Sequence, residues 1–353
     1  MNCESKICVC GHFGVGQTLL NGQTVKTKIV TREIEKKFGS NAVYEVDTHG
    51  GVKVFPRVIF GLLKGLLKCN SIVVFLSDNG LRFIVPILWF LSLMVRNRHF
   101  YYVVIGGYIQ DYLPKHKFVA WILRKYEAIY VETLPMKNAM KELGFGNVVI
   151  MPNCKELEIC DNPRILQTPP FPLCTFSRVM KTKGIEDAVK AVISVNERAG
   201  DIICFLDIYG QIELNEEMWF DELMKSAPEY IRYRGLVPFT ESVKVLSNYY
   251  ALLFPTYYEG EGFAGTLIDA FAAGIPIIAS DWRYNCSIID DGRTGTIFPS
   301  QSIEGLSCAI VEACSNPTKW NEKKKQCLEE AKKYQPDVVV EPLINALMLY
   351  ICL

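Results

Sequence analysis

Between Glu259 and Trp282 the chain reads EGEGFAGTLIDAFAAGIPIIASDW. Three acids sit among small and apolar residues, an arrangement that a plain core helix does not require. Leu267, Ile268, Phe271 and Ala272 recur at helical spacing, and Gly274 and Pro276 stop the pattern. A helix therefore begins near Gly265, after a loop that ends at Gly262. The amides of Phe263, Ala264 and Gly265 become unpaired donors at the positive end of a helix dipole. Small side chains let a phosphate approach them closely. Glu261 stands just before these donors and Asp269 about two turns beyond. Glu259 reads as a solvated loop acid. A second stretch, TFSRVMKTKGIEDAVKAV, runs from Thr175 to Val192. There a strand ends at Ser177, a cationic loop carries Arg178 and Lys183, and Gly184 opens an amphipathic helix. By themselves two loop cations are ordinary surface decoration.

These residues need elements to hold them. The chain has 353 residues, half of them apolar, which suffices for two domains with sizeable cores. Lysines and arginines number 38 against 38 acids, a balance that argues against a general nucleic-acid binder. The 13 cysteines are scattered without a CxxC pair, and there are only four histidines. No zinc site or disulfide framework is expected, and a reduced cytoplasmic compartment fits. MNCESKICVC shows no apolar segment before a cleavage site, so no signal peptide is expected. The longest apolar run, Phe83 to Val95, contains a proline and falls short of the ~20 residues of a spanning helix.

Short apolar runs alternate with amphipathic stretches along both halves. Strands are predicted at Lys6–Cys10, Ala42–Val46, Ser71–Leu76, Phe100–Ile105, Ala128–Val131 and Val148–Met151, with helical patterns between several of them. After a proline-rich stretch the alternation resumes: Leu173–Ser177, Ile202–Tyr209, Ile231–Arg234, Ala251–Pro255 and Pro276–Ser280 as strands, again separated by helices. Such alternation predicts parallel α/β sheets. The expected architecture is two Rossmann-like domains facing a cleft. Residues 1–152 form the first, 153–172 a linker, 173–335 the second, and 336–353 a helix returning to the first. Ligands of such sheets sit at the carboxyl ends of strands.

FPTYYEGEGFAGTLIDAFAAGIPIIAS, with Glu261-x7-Asp269, resembles the E-x7-E motif of the GT-B glycosyltransferases of family GT4. The order of strand, loop, Glu-Gly-Phe, helix with a second acid, and Gly-Ile-Pro before a strand is similar throughout. The resemblance implies a retaining transferase in which Glu261 faces the donor sugar and Asp269 holds the nucleotide ribose. Asp269 is one methylene shorter than the family's glutamate. The segment after Thr175 resembles the family's Arg-x(n)-Lys-Gly loop, which assigns Arg178 and Lys183 to the diphosphate. Departure of a nucleoside diphosphate builds negative charge on its phosphates, and fixed cations stabilise it without a metal. Gly210 in DIYGQIE, and Gly235 and Val237 in YRGLVP, resemble the loops lining the base. GHFGVGQ, with Gly14, Val15 and Gly16, resembles the glycine-rich loop of the acceptor domain. Its GxxGxG spacing is not a dinucleotide fingerprint. Gly262, Phe263, Ala264 and Gly265 complete the donor-binding set. Many family members carry a histidine after a strand of the first domain. Here the corresponding positions are Gly106 and Gly107. His12, His49, His116 and Asp111 have no motif behind them, so no general base is assigned.

The expectation is a retaining enzyme moving a sugar from a nucleotide-diphosphate donor, UDP-linked by preference, to a saccharide or lipid-linked saccharide, with no metal or other cofactor. Bacterial surface polysaccharide assembly is the expected setting. The alternatives are a non-catalytic nucleotide- or partner-binding subunit and a nucleotide-sugar epimerase. Residues 50–110 carry Lys53, Arg57, Lys64, Lys68, Arg82, Arg96 and Arg98 against Asp78. Basic amphipathic patterns beside the Phe83–Val95 run predict peripheral contact with an anionic membrane, on the inner face of the cytoplasmic membrane.

Overall fold

A computed structural model describes residues 6–14, 22–95 and 97–351. The chain divides into two compact units, residues 1–156 with 335–353, and residues 157–334.

In the first unit the strands are β1 (Ile7–Gly11), β2 (Val43–Asp47), β3 (Ser71–Leu76), β4 (His99–Val104), β5 (Ala128–Val131) and β6 (Val148–Ile150). They form one sheet in the order β2-β1-β3-β4-β5-β6, every pairing parallel. Every residue of β1 and β3 is buried, so ICVCG and SIVVFL read as continuous apolar runs rather than alternating ones. The connecting helices are α1 (Gly22–Phe38), α2 (Phe55–Lys68), α3 (Asp78–Ser92), α4 (Ile109–Tyr112), α5 (Lys117–Leu123) and α6 (Leu134–Glu142). Thr133 caps α6, accepting from the amide of Met136 at 3.4 Å, and Pro135 sits in its first turn.

The second unit holds β7 (Phe171–Phe176), β8 (Cys204–Tyr209), β9 (Ile231–Gly235), β10 (Ala251–Phe254), β11 (Ile277–Ser280) and β12 (Gly295–Phe298). Their order is β12-β11-β10-β7-β8-β9, again parallel, which is the Rossmann order of a doubly wound sheet. Its helices are α7 (Ile185–Ala199), α8 (Glu217–Ser226), α9 (Ser242–Leu246), α10 (Gly265–Ala272), α11 (Asn285–Ile288), α12 (Ile303–Ser315) and α13 (Pro317–Ala331). Beyond it α14 (Pro336–Ile351) joins the first unit. There Val339, Val340, Leu343 and Leu347 pack with Ile29, Ile34 and Tyr101, and the Tyr101 hydroxyl donates to the carbonyl of Ala346 at 3.2 Å.

The proline-rich stretch is packed structure rather than a free connector. Cys154 is buried in the first core. From Leu157 the chain lies on the second unit, where the Cys160 amide donates to the carbonyl of Ala272 at 2.8 Å and Asn321 donates to the carbonyl of Leu166 at 2.7 Å. The division between the units falls at Glu156/Leu157, inside the 153–172 stretch. The eleven cysteines of the described residues are free thiols, and burial pushes Cys10 and Cys327 up to about 12, where they are chemically inert.

Candidate active site at the ends of the second sheet

The strand order of the second sheet reverses between β7 and β10, and ligands of parallel sheets lie outside the carboxyl ends of strands at such a point. The segments leaving β7 and β10 carry Arg178, Lys183 and Glu261. Two glycines let those segments approach. Gly184 has φ +71°, and a Cβ there would lie 2.2 Å from the carbonyl oxygen of Pro255. Gly210 has φ +139°, and its Cβ would lie 1.7 Å from the carbonyl oxygen of Ser177. No side chain fits either position. The loop after β7 is thereby pressed against the end of β10 on one side and the end of β8 on the other.

Lys183 Nζ donates to Glu261 Oε2 at 2.5 Å, and the two side chains are 9% and 7% exposed. The Thr256 hydroxyl donates to the same oxygen at 2.8 Å. Thr256 is itself held from below: its carbonyl accepts from the Ser280 hydroxyl at 2.6 Å, and the Ser280 carbonyl accepts from Asn285 Nδ2 at 3.0 Å. Buried charges cost several kcal/mol each in desolvation unless paired and hydrogen-bonded, and this pair is both. Beside it, the amide of Tyr257 donates to the carbonyl of Thr182 at 2.8 Å, and burial raises the Tyr257 hydroxyl pKa, with Asp187 adding to the effect.

Arg178 is differently placed. It is half-exposed and donates to Glu213 Oε2 at 2.9 Å. Glu213 follows β8, and its amide donates to the carbonyl of Val179 at 3.1 Å, which fixes the two loops together. An exposed pair of this kind is worth at most about 1 kcal/mol, so the guanidinium is available to exchange Glu213 for another anion. Tyr258 joins the two cations. Its ring centroid is 5.0 Å from Lys183 Nζ and 5.5 Å from the Arg178 guanidinium carbon. The Trp282 indole fixes the Tyr258 backbone, donating to its carbonyl at 2.8 Å.

Ala264 occupies the N-cap of α10 and has no side-chain oxygen to cap it. Gly262 is buried, whereas Ala264 and Gly265 are partly exposed. Phe263 is buried edge-on against Tyr334 at 4.9 Å between centroids, which anchors the loop. Asp269 lies in the second turn of α10 and is 2% exposed. Glu259 is exposed. At the next strand ends, the Gly210 amide donates to the carbonyl of Gly235 at 3.0 Å, and the Tyr233 hydroxyl donates to the carbonyl of Gly210 at 2.8 Å. Val237 is half-buried just beyond. The structure thus brings Lys183, Glu261 and the α10 terminus together and links Gly210 to Gly235, with Arg178 at the rim.

Thr256, Tyr258 and Glu213 escaped the sequence reading. A hydroxyl and an aromatic ring between β10 and Glu261 are visible in FPTYYEGE, but only the folded loop shows which atoms they touch. Glu213 could have been suspected, because it follows the strand adjacent in sequence to the Arg178 loop.

In the first unit Gly14 has φ +61°, and the amides of Phe13 and Gly14 donate to Asp47 Oδ1 at 2.9 and 3.3 Å. Val15 and Gly16 lie outside the described residues. His12 Nδ1 is 2.7 Å from the Thr24 hydroxyl, and His12 Nε2 is 3.0 Å from His49 Nδ1. Burial lowers the His12 pKa, and the neighbouring His49 lowers it further. His116 stacks on Tyr112 at 3.8 Å. Gly106 and Gly107 follow β4, and Asp111 lies in α4.

Residues 171–316 match the family model described as glycosyl transferases group 1. Over 136 residues the chain is 35% identical to the GtfA subunit of the UDP-N-acetylglucosamine–peptide N-acetylglucosaminyltransferase of Streptococcus pneumoniae serotype 4, a match covering 38% of this chain. The matched part spans 25% of that relative's length. Among solved structures, Anabaena Alr3699/HepE in complex with UDP superposes with a TM-score of 0.74 at 12% identity, covering 98% of this chain and 100% of that one. The sucrose-phosphate synthase tll1590 from Thermosynechococcus elongatus gives 0.75 at 15% identity, with 99% of both chains covered. The chain has the GT-B fold, and its second unit carries the sequence pattern of the group 1 glycosyl transferases.

Proposed function

We propose that the chain is a retaining glycosyltransferase of the GT4 type that takes a sugar from a UDP-sugar. The observation that carries the reading is the buried Lys183–Glu261 pair at the switch point of the second sheet, beside the uncapped start of α10. In this reading the diphosphate takes the Lys183 ammonium, recruits Arg178 from Glu213, and receives the amides around Ala264. These cations and dipoles stabilise the charge that grows as the glycosidic C–O bond to phosphate breaks. No metal is required in this scheme, because Lys183 and Arg178 carry that charge. Glu261, relieved of part of its pairing, accepts hydroxyls of the donor sugar. Gly210, Gly235 and Val237 line the base, and Asp269 serves the ribose. The UDP in the Anabaena structure and the UDP-sugar in the streptococcal relative's name support a uridine donor. The proposed acceptor is a saccharide or lipid-linked saccharide, in bacterial surface polysaccharide assembly.

The test is slow release of free sugar from UDP-sugars. Glu261→Gln should lower release by about 10²–10³-fold, the cost of losing one group aimed at transition-state charge, while UDP still raises the melting temperature. UDP binding with no turnover on any donor or acceptor would mark a nucleotide-binding subunit instead.

A further inference from the structure

Helix α3 is apolar on two faces. Leu81, Ile84, Val85 and Leu88 are buried under it. Phe83 and Phe90, seven residues apart and so on one stripe, point outward at 53% and 59% exposure, and Met94 continues the stripe at 78%. A helix apolar all round is ordinarily enclosed by protein or lipid. Helix α5 extends this surface. Its outward positions are Lys117, Phe118, Trp121 and, just beyond its end, Lys125, all exposed. The two helices share an aromatic seam. Trp89 meets Trp121 edge-on at 5.2 Å, and Phe90 lies 6.4 Å from Phe118. Lys125 Nζ stands over Trp121 at 4.3 Å and over Trp89 at 5.3 Å.

The sequence that carries the seam is predominantly basic. Residues 78–127 contain Arg82, Arg96, Arg98, Lys115, Lys117, Arg124 and Lys125 against Asp78, Asp111 and Glu127, an excess of four cations in a chain that is neutral overall. Tryptophans beside lysines on an exposed apolar face match the bilayer interface, where rings sit among headgroups and ammonium groups meet lipid phosphates. No helix among the described residues is long and apolar enough to cross a membrane, so contact from one side is the geometry this surface offers. We propose that the α3–α5 face docks on an anionic lipid bilayer. The docking face includes α5, which lies outside the basic 50–110 stretch that the sequence singled out. The proposal stands independently of the transferase reading.

The test is flotation of the full chain with vesicles of phosphatidylcholine alone and of phosphatidylcholine mixed with phosphatidylglycerol, followed in parallel by tryptophan emission. Binding should require the anionic lipid, weaken with added salt, and shift emission to the blue. Lys125→Glu should weaken it about fivefold or more, as expected from ~1 kcal/mol per cation near the surface. Phe90→Ser should weaken it at least about tenfold, as expected for an aromatic side chain leaving the interface. Met218→Ser, at a comparably exposed apolar position of the second unit, should leave it unchanged. Circular dichroism confirms that each variant is folded, and the UDP thermal shift reports the donor site separately. Recovery in the lipid-free fraction with both vesicle types would overturn the proposal. Binding insensitive to Phe90→Ser and Lys125→Glu would do the same. A concentration-dependent dimer that Phe90→Ser dissolves would assign the face to a second copy of the chain instead.

Discussion

Both units bury a lysine–glutamate ion pair, and the two pairs are built to different ends. In the first unit Lys26, in the first turns of α1, donates to Glu132 Oε1 at 2.6 Å and to the carbonyl of Val104 at 3.1 Å. The side chains are 3% and 4% exposed. This ammonium ties the ends of β4 and β5 to α1, and its hydrogen bonds go to permanent protein atoms. In the second unit Lys183 and Glu261 are also buried, but their neighbourhood differs. An exposed arginine held by a replaceable carboxylate, a shared tyrosine ring, an uncapped helix start and two forced-glycine contacts surround them. Burial of a charge pair alone therefore does not mark a site. A pair marks one when an exposed cation and a helix start without a side-chain cap converge beside it.

The comparison can be broken most directly at the first pair. Glu132→Ala leaves an ammonium buried without its carboxylate and should cost about 3–5 kcal/mol in urea unfolding, with UDP affinity unchanged in the folded protein. Loss of UDP binding at full stability would make Glu132 part of the donor site. Gly184→Ala tests whether the close approach of the β7 and β10 loops is required. With φ at +71° and a backbone oxygen 2.2 Å from the new Cβ, the loop must shift at a cost of about 1–3 kcal/mol, seen as a lower melting temperature and weaker donor binding together.

A third buried lysine sharpens the contrast. Lys324 in α13 donates only weakly to the carbonyl of Tyr249 at 3.4 Å, and burial pulls its pKa down from 10.5 to about 8. Below pH 8 it is charged in both folded and unfolded chains. Between about 8 and 10.5 the folded protein has released the proton while the unfolded chain keeps it, so stability rises with pH across that window. Lys324→Met should stabilise the protein at pH 7 by on the order of 2 kcal/mol, with the gain shrinking towards pH 10.5. A gain independent of pH would mean that the ammonium is solvated.

The local signals in the sequence carried much of this structure. Period and β-branched runs located eleven of the twelve strands to within a few residues. The exception, β12, is GTIF, which opens on a glycine and is flanked by DDGRT and PSQS, so the whole stretch reads as loop. Glu261 and Lys183 were legible because each sits at the junction of a strand, a small-residue loop and a helix. Their direct pairing spans 78 residues and the Lys26–Glu132 pair spans 106, and such distances leave no trace in local spacing. The same holds for the aromatic seam of α3 and α5, which arises only when two separate helices lie side by side. The division between the units falls inside the proline-rich stretch, and from Leu157 onward its prolines suit extended chain laid along the second unit.

The central claim is that Lys183 and the start of α10 recognise a diphosphate. Calorimetric titration of UDP into the intact protein and into Lys183→Ala measures this directly. The account predicts that affinity falls by about a hundredfold in the variant, the equivalent of ~2.7 kcal/mol for a charge-assisted contact in a buried site. Equal affinity for UDP in the two proteins would contradict it.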